Sequence, residues 1–338
     1  MWVPDQSSFQ LITNMSAHLA FMCQSALVCM VFAYILQIRT AGPLKAIGLS
    51  VTEILLGEAL GLLFAKGVYF LIRMEYLTKL GGAWQFFTSL DMKELCFFGG
   101  VGGVVLAVVF SARIFGLPVR KVMNHFAPAG ALLIALARFA EYYLQNEMLG
   151  LGGLTRIGLA EDTVLKFPWG IAIDWFGDGS YMEYYLAVFM YEGFVAAAAA
   201  VIALICVWDR DCFIRTLFYI CLAQVLLESI RSTTVAWLFV RAEQLLCFLY
   251  VEGVLVFYAV RRLRQGKWYG IISPILGLLV AGVVVLVEFG LENKIDFMKE
   301  LGAMKMYIIM ASALATLGIA DIVHHIVGYR MKKRPALQ

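Results

Sequence analysis

The chain contains nine runs of about 20 mostly apolar residues, the length that a helix needs to cross about 30 Å of hydrocarbon. The interior of a bilayer offers no water to backbone N–H and C=O groups, so each run can cross it only as an α-helix. The sequence therefore predicts an all-α, polytopic transmembrane helix bundle. Its predicted spans are residues 16–37, 50–72, 96–116, 125–145, 184–207, 214–232, 240–260, 269–290 and 304–328, and residues 146–183 form the one long loop.

Composition and the placement of charge agree with this class. Hydrophobic residues make up 62% of the chain, and the net charge of +3 is spread over the connections, which gives no indication of a nucleic-acid partner. Basic residues follow alternate spans, as at Arg261, Arg262 and Arg264 and in the tail from Arg330. The positive-inside rule then predicts an outside N-terminus and a cytoplasmic C-terminus.

One predicted span contains two charged residues, which are costly and rare inside a membrane helix. Arg138 and Glu141 lie three residues apart and so share a helix face. An arginine at the centre of a span costs about 2.5–3.5 kcal/mol on insertion scales, and such residues mark functional sites by default. The pair predicts a cation held inside the bilayer, where it could bind a lipid phosphate, although a purely structural ion pair is the alternative.

Further segments accompany this helix in chain order, and each combines glycine, aromatic or charged residues. They are Leu60 to Tyr69 with Lys66, Phe97-Phe98-Gly99-Gly100, Ala127 to Arg138, Glu147 with Gly150, Phe167-Pro168, Tyr191-Glu192, and Glu228-Ser-Ile-Arg231. Together they cover about residues 50–260. In order and near-correct spacing they resemble the motifs of the prolipoprotein diacylglyceryl transferase family.

The resemblance implies a multi-pass enzyme of the bacterial inner (plasma) membrane. Its expected reaction moves diacylglyceryl from phosphatidylglycerol to a lipobox cysteine of a lipoprotein precursor, in the presence of membrane lipids and with no cofactor and no metal. Residues 1–265 would form the family's seven-helix domain. Residues 266–338 would add two transmembrane helices and a basic cytoplasmic tail.

The same resemblance implies roles for individual residues. Catalysis would fall to four of them: Arg138, Glu141, Glu147 and Glu192. Phosphatidylglycerol would be bound by Arg138, Lys66, Tyr69, Gly99, Gly100, Gly150, Glu228 and Arg231.

This chain departs from the family pattern at positions important for the chemistry. Phe98 stands where the family has histidine, Gln224 where it has an arginine, and Glu141 where it has asparagine. Without the histidine, a carboxylate must take the proton of the thiol. The set of residues available for transfer chemistry is therefore weaker than in the family.

Other interpretations apply to several of these residues. Lys66 could extend outward along its helix, Gly99 and Gly100 could serve close helix packing, and Glu192 could be a polar packing contact. Glu53 and Glu58 are expected to be wetted near the inner surface. In the last span, Asp321, His324 and His325 share a face, and we favour an interfacial anchor over a metal or proton-relay site.

Two alternative functions remain beside the transferase. One keeps the fold as a lipid-headgroup transferase with another acceptor. The other is a non-catalytic phospholipid-binding membrane protein in which Arg138 binds lipid without turnover.

Overall fold

The computed structural model describes residues 6–74, 86–87, 95–143, 154–155, 167–174, 182–231, 236–237 and 240–333. Nine long helices lie in these ranges. They are α1 (Gln6–Ala41), α2 (Pro43–Ile72), α3 (Phe97–Ile114), α4 (Val119–Ala140), α5 (Val188–Ile205), α6 (Cys212–Ile230), α7 (Ala242–Leu263), α8 (Ile272–Leu291) and α9 (Ala303–Lys333). Short helical turns at Trp268–Ile271 and Asp296–Lys299 flank α8.

Within the described ranges, all nine helices are long and apolar enough to cross a membrane, which confirms the prediction of a multi-pass helical membrane protein. Two helices begin well before their predicted bounds: α1 begins at Gln6 and not near residue 16, and α2 begins at Pro43 and not near residue 50. Gly42 separates α1 from α2 with a φ of 76°, and Pro43 is suited to a first helical turn because it lacks an N–H. Residues 43–49, which precede the predicted span, are therefore helical.

Short strands form in part of the predicted long loop and at the start of the predicted fifth span. Strands β1 (Leu154–Thr155), β2 (Gly170–Asp174) and β3 (Met182–Ala187) form an antiparallel sheet in the order β1-β3-β2. Ile171 lies opposite Tyr185, and both side chains are buried in one apolar cluster with Phe189. This alternation is short and runs directly into the apolar start of α5, so hydropathy assigns it to the helix. A second pair, β4 (Ala236–Trp237) and β5 (Val240–Arg241), precedes α7.

Two compact units are distinguished by packing: Met1–Ile220 with Ile230–Glu243, and Cys221–Ser229 with Gln244–Gln338. The domain boundary at residue 265 comes from the family resemblance and not from packing, so it stays a prediction. In the first unit, α2 packs on α3, α1 packs on α2 and α4, and α4 packs on α5.

Small residues allow the closest of these helix contacts. A Cβ atom at Gly103 of α3 would overlap the carbonyl oxygen of Leu60 in α2. Between α4 and α5, the alanines Ala131, Ala199 and Ala200 are buried against one another. Without a hydrophobic driving force between helices in lipid, such close backbone approach is a main source of packing energy.

In the second unit, α8 packs on α9 and also on α7. Gly277 of α8 lies directly against the Glu252 carboxylate and Leu255 of α7, where a Cβ atom would not fit. Gln244 donates hydrogen bonds to the carbonyl oxygen of Val225 and to Glu288 Oε1, at 3.0 and 2.8 Å.

The expectation that Glu53 is wetted is wrong. Glu53 lies ten residues inside α2 because this helix begins at Pro43, and it is only 1% exposed. Glu58, on another face of α2, is exposed.

Candidate functional site

The first unit contains a buried cluster of alternating charges centred on Arg138, in the last turn of α4. Arg138 Nη1 lies 2.7 Å from Glu141 Oε1, and Arg138 Nε lies 2.9 Å from Glu192 Oε2 in α5. The Arg138 side chain is 3% exposed. The predicted pair within α4 therefore exists, and a second carboxylate from another helix joins it.

Arg231 completes the cluster immediately after the end of α6. Its Nη1 donates to both oxygens of Glu192, at 3.2 and 3.4 Å, and its Nη2 lies 3.8 Å from Glu141 Oε2. Glu192 thus lies between two guanidinium groups. Two arginines and two glutamates give no net charge. The attraction between them offsets the desolvation cost of burial, which none of the four could meet alone.

Helix ends explain why these charges fold into this place. Arg138 lies at the C-terminus of α4 and Arg231 just beyond that of α6, where the helix dipole favours cations. Glu192 is the fifth residue of α5 and lies beyond its first turn, where the dipole has little effect. The two arginines therefore match the dipole of their helix, whereas Glu192 and Glu141, at the C-cap of α4, depend on their arginine partners.

Aromatic and backbone groups close one side of the cluster. The centre of the Arg138 guanidinium lies 3.7 Å from the ring centroid of Phe97, the first residue of α3. The backbone N–H of Phe97 donates to Glu243 Oε1 at 2.6 Å, and Glu243 is in the first turn of α7. Arg241 donates from Nη1 to the carbonyl oxygen of Arg231 at 3.1 Å.

Two polar atoms of the cluster are buried without a hydrogen-bond partner in the described part of the chain. They are Nη2 of Arg138, a donor, and Oε2 of Glu141, an acceptor. Leaving such a buried group unsatisfied costs about 1–3 kcal/mol, and more when the group is charged. The cluster therefore offers one open donor and one open acceptor on two residues that already bond each other.

Gly193 is a residue of the site that sequence reasoning missed. It follows Glu192, and a Cβ atom there would overlap the ring of Phe139, which follows Arg138. The missing side chain lets the Phe139 ring lie against α5. The signal in the sequence was a glycine beside a charged residue in a span, which is suggestive only once the partner helix is known.

Lys66 and Tyr69 lie around a different residue, Phe86. Lys66 Nζ donates to the carbonyl oxygen of Phe86 at 2.7 Å and lies 4.8 Å from the centroid of its ring. Tyr69 stacks on the same ring at 6.1 Å between centroids. Lys66 is 3% exposed, so the alternative in which it extends outward is excluded. Binding of phospholipid by these two residues stays a prediction.

Gly99 and Gly100 lie where α3 meets α2. A Cβ atom at Gly99 would come within 2.9 Å of the Phe64 carbonyl oxygen, and one at Gly100 within 3.5 Å of that of Gly61. This contact supports the packing interpretation. Glu147 and Gly150 lie outside the described residues, so their predicted roles stay untested.

The remaining motif residues have different surroundings. Phe98 packs against the apolar cluster of Ala131, Ala199, Ala200 and Ile220, so the family's histidine position is apolar here. Gln224 and Glu228 are buried in the second unit, where Gln224 Nε2 donates to Glu228 Oε2 at 3.3 Å. Whether Glu228 binds lipid stays a prediction.

A metal site is not evident in the ranges that the structure describes, where no group of three potential ligands occurs. Asp321 is half-buried in α9, and the side chains of His324 and His325 lie outside the description. The anchor interpretation of these residues stays a prediction.

Comparison of the whole chain with protein-family models, curated proteins and solved structures finds no match. The resemblance to the diacylglyceryl transferases therefore depends on the motifs alone.

Proposed function

We propose that this protein is a membrane transferase that moves diacylglyceryl from phosphatidylglycerol to the cysteine thiol of a lipoprotein precursor, in the inner membrane of a bacterium. The observation that carries the proposal is the pair of open atoms at Arg138 Nη2 and Glu141 Oε2. The order of the motifs along the chain supplies the choice of reaction. In this proposal the N-terminus lies outside and the tail is cytoplasmic.

The open donor suits the leaving phosphate. Arg138 already uses Nη1 and Nε on two carboxylates, which fixes the plane of its guanidinium. A donor fixed in this way needs no reorganisation when negative charge develops on a phosphate oxygen. Arg231 contacts the Glu192 carboxylate from the side opposite Arg138. It therefore holds Glu192 in place and acts as a positioning residue.

The open acceptor suits the thiol proton. Glu141 Oε2 takes that proton, the thiolate attacks the glyceryl carbon, and a sulfur–carbon bond forms. The carbon–oxygen bond to the phosphate breaks, and glycerol phosphate leaves. Proton uptake by Glu141 gives the neutral four-residue cluster a charge of +1 as the phosphate gains negative charge, so the two changes favour each other.

The test uses proteoliposomes that contain the purified protein, labelled phosphatidylglycerol and a peptide with a lipobox cysteine. We expect thioether-linked diacylglyceryl on the peptide with the wild-type protein and its loss with Arg138→Lys and Glu141→Gln. Arg120→Lys is the matched control, because Arg120 forms an exposed ion pair with Asp211 away from the cluster. A family member with known activity, assayed under the same conditions, is the positive control.

Failure of the wild-type protein beside that active family member contradicts this function. The packing of Phe98 in an apolar cluster, where the family has histidine, favours a second candidate, a headgroup transferase with another acceptor. Release of glycerol phosphate without the peptide would identify that activity. Binding of phosphatidylglycerol without release would identify the non-catalytic alternative.

A further inference from the structure

A second buried polar group lies in the first unit, between α1 and α2. Glu53 of α2 and Gln37 of α1 are 1% and 0% exposed. Gln37 Nε2 donates to both carboxyl oxygens of Glu53 at 2.9 Å, and Ser50 Oγ donates to Gln37 Oε1 at 3.1 Å. The position is deep in the span, because ten residues of α-helix rise about 15 Å from the start of α2.

No cation compensates this carboxyl group among the described residues. On the helices packed around it, Arg39 lies over the ring of Trp208, Arg113 is exposed, and His125 is hydrogen-bonded to Thr40. An isolated buried carboxylate is so costly that the group takes up a proton and becomes neutral. Glu53 therefore differs from Glu141 and Glu192, which have arginine partners.

The Gln37 amide can satisfy the carboxyl group in both protonation states. With its NH2 group toward Glu53, it donates to an ionised carboxylate. Turned over by half a turn, its oxygen accepts a hydrogen bond from a protonated carboxyl group, and its NH2 group donates to Ser50 Oγ. The two orientations have nearly the same shape, so no repacking is needed to exchange them.

We propose that Glu53 is a proton-binding site within the membrane domain, with Gln37 and Ser50 as its hydrogen-bonding partners. The ligand of this site is the proton itself. The proposal is independent of the transferase function, because no residue of the Arg138 cluster takes part.

Infrared difference spectroscopy of the purified protein tests it. We expect a carbonyl stretching band of a protonated carboxylic acid at neutral pH that shifts in D2O and is lost in Glu53→Gln. Glu58→Gln, on an exposed face of the same helix, is the matched control and should keep the band. Equal band intensity in wild-type and Glu53→Gln protein at neutral pH overturns the proposal.

Two more measurements keep the test decisive. Glu53→Gln copies the neutral acid in shape and charge, so we expect its unfolding temperature to equal that of the wild type, and a large decrease would contradict a bound proton. Gln37→Leu removes the hydrogen bond but leaves the acid, so the band should persist at a higher wavenumber. An unshifted band in Gln37→Leu would exclude the amide as the partner.

Discussion

The centre of the Arg138 guanidinium lies 3.7 Å from the ring centroid of Phe97, so this ring is in contact with the cation that we propose binds the lipid phosphate. The position of Phe97 is itself fixed, because its backbone N–H donates to Glu243. The ring covers one face of the cation without using any of its donors. Nη2 thus stays available as a buried donor beside the ring.

Replacement of Phe97 by leucine should weaken the site without removing a charge. A desolvated cation–π contact contributes about 1–2 kcal/mol, so we expect the apparent affinity for phosphatidylglycerol to fall roughly tenfold. Titration of labelled phosphatidylglycerol into proteoliposomes measures this change. Phe98→Leu is the neighbouring control, since Phe98 packs on alanines, and an equal loss in both variants would contradict the assignment.

Arg138→Lys should strongly reduce transfer while preserving the charge at this position. A lysine has one ammonium group and cannot donate to Glu141, to Glu192 and to a phosphate in the fixed geometry of a guanidinium. Loss of one preorganised donor typically reduces rate by about 100- to 1,000-fold. The measurement is the initial rate of thioether formation, with Arg120→Lys as control, and a rate within a few fold of wild type would remove Arg138 from the site.

Glu141→Gln separates proton transfer from lipid binding. The amide can still accept a hydrogen bond from Arg138 Nη1, but it cannot take the proton of a thiol. Loss of a general base lowers rates by about 100- to 10,000-fold. We therefore expect thioether formation to fall by that amount while phosphatidylglycerol binding stays near the wild-type value. Retained transfer would assign the base to another carboxylate.

Local sequence patterns were sufficient for part of this site. Nine apolar runs predict nine spanning helices, and the three-residue spacing of Arg138 and Glu141 predicts their contact. Both are properties of single helices. By contrast, Glu192 in α5 and Arg231 just after α6 are 39 residues apart, so spacing alone could not predict their contact. Their convergence depends on how α4, α5 and α6 pack.

The errors have the same origin. The sequence places Glu53 at a wet surface because hydropathy begins this span seven residues after the true start of α2, and the amide partner Gln37 is on another helix. Strand β3 was missed because its apolar residues are continuous with those of α5. Hydropathy reports how apolar a segment is, whereas burial and strand pairing depend on the tertiary partner.

The central position of Glu192 predicts a large effect on stability. Glu192→Ala removes the carboxylate that contacts both Arg138 and Arg231. Breaking a buried ion pair by removal of one partner costs about 3–5 kcal/mol. The free energy of unfolding in detergent measures this loss. In Glu192→Ala/Arg231→Met, one of the two arginines that lose this carboxylate is removed as well, so the double variant should be more stable than the sum of the single losses predicts. Additive losses would contradict direct coupling.

Gly103 and Gly102 provide a test of the α2–α3 contact with neighbouring residues in one helix. An added Cβ atom at Gly103 would overlap the Leu60 carbonyl oxygen, whereas one at Gly102 would have no atom within 4 Å. Overpacking of this kind costs about 1–3 kcal/mol. Gly103→Ala should therefore lower the unfolding temperature, and Gly102→Ala should raise it slightly or leave it unchanged because alanine favours helix.

Since the same helix begins with Phe97, displacement of α3 by the Gly103 variant should also weaken phosphatidylglycerol binding. A stable Gly103→Ala protein with reduced binding would indicate that α3 has moved without unfolding, whereas unchanged stability and binding would show that the helices do not approach this closely.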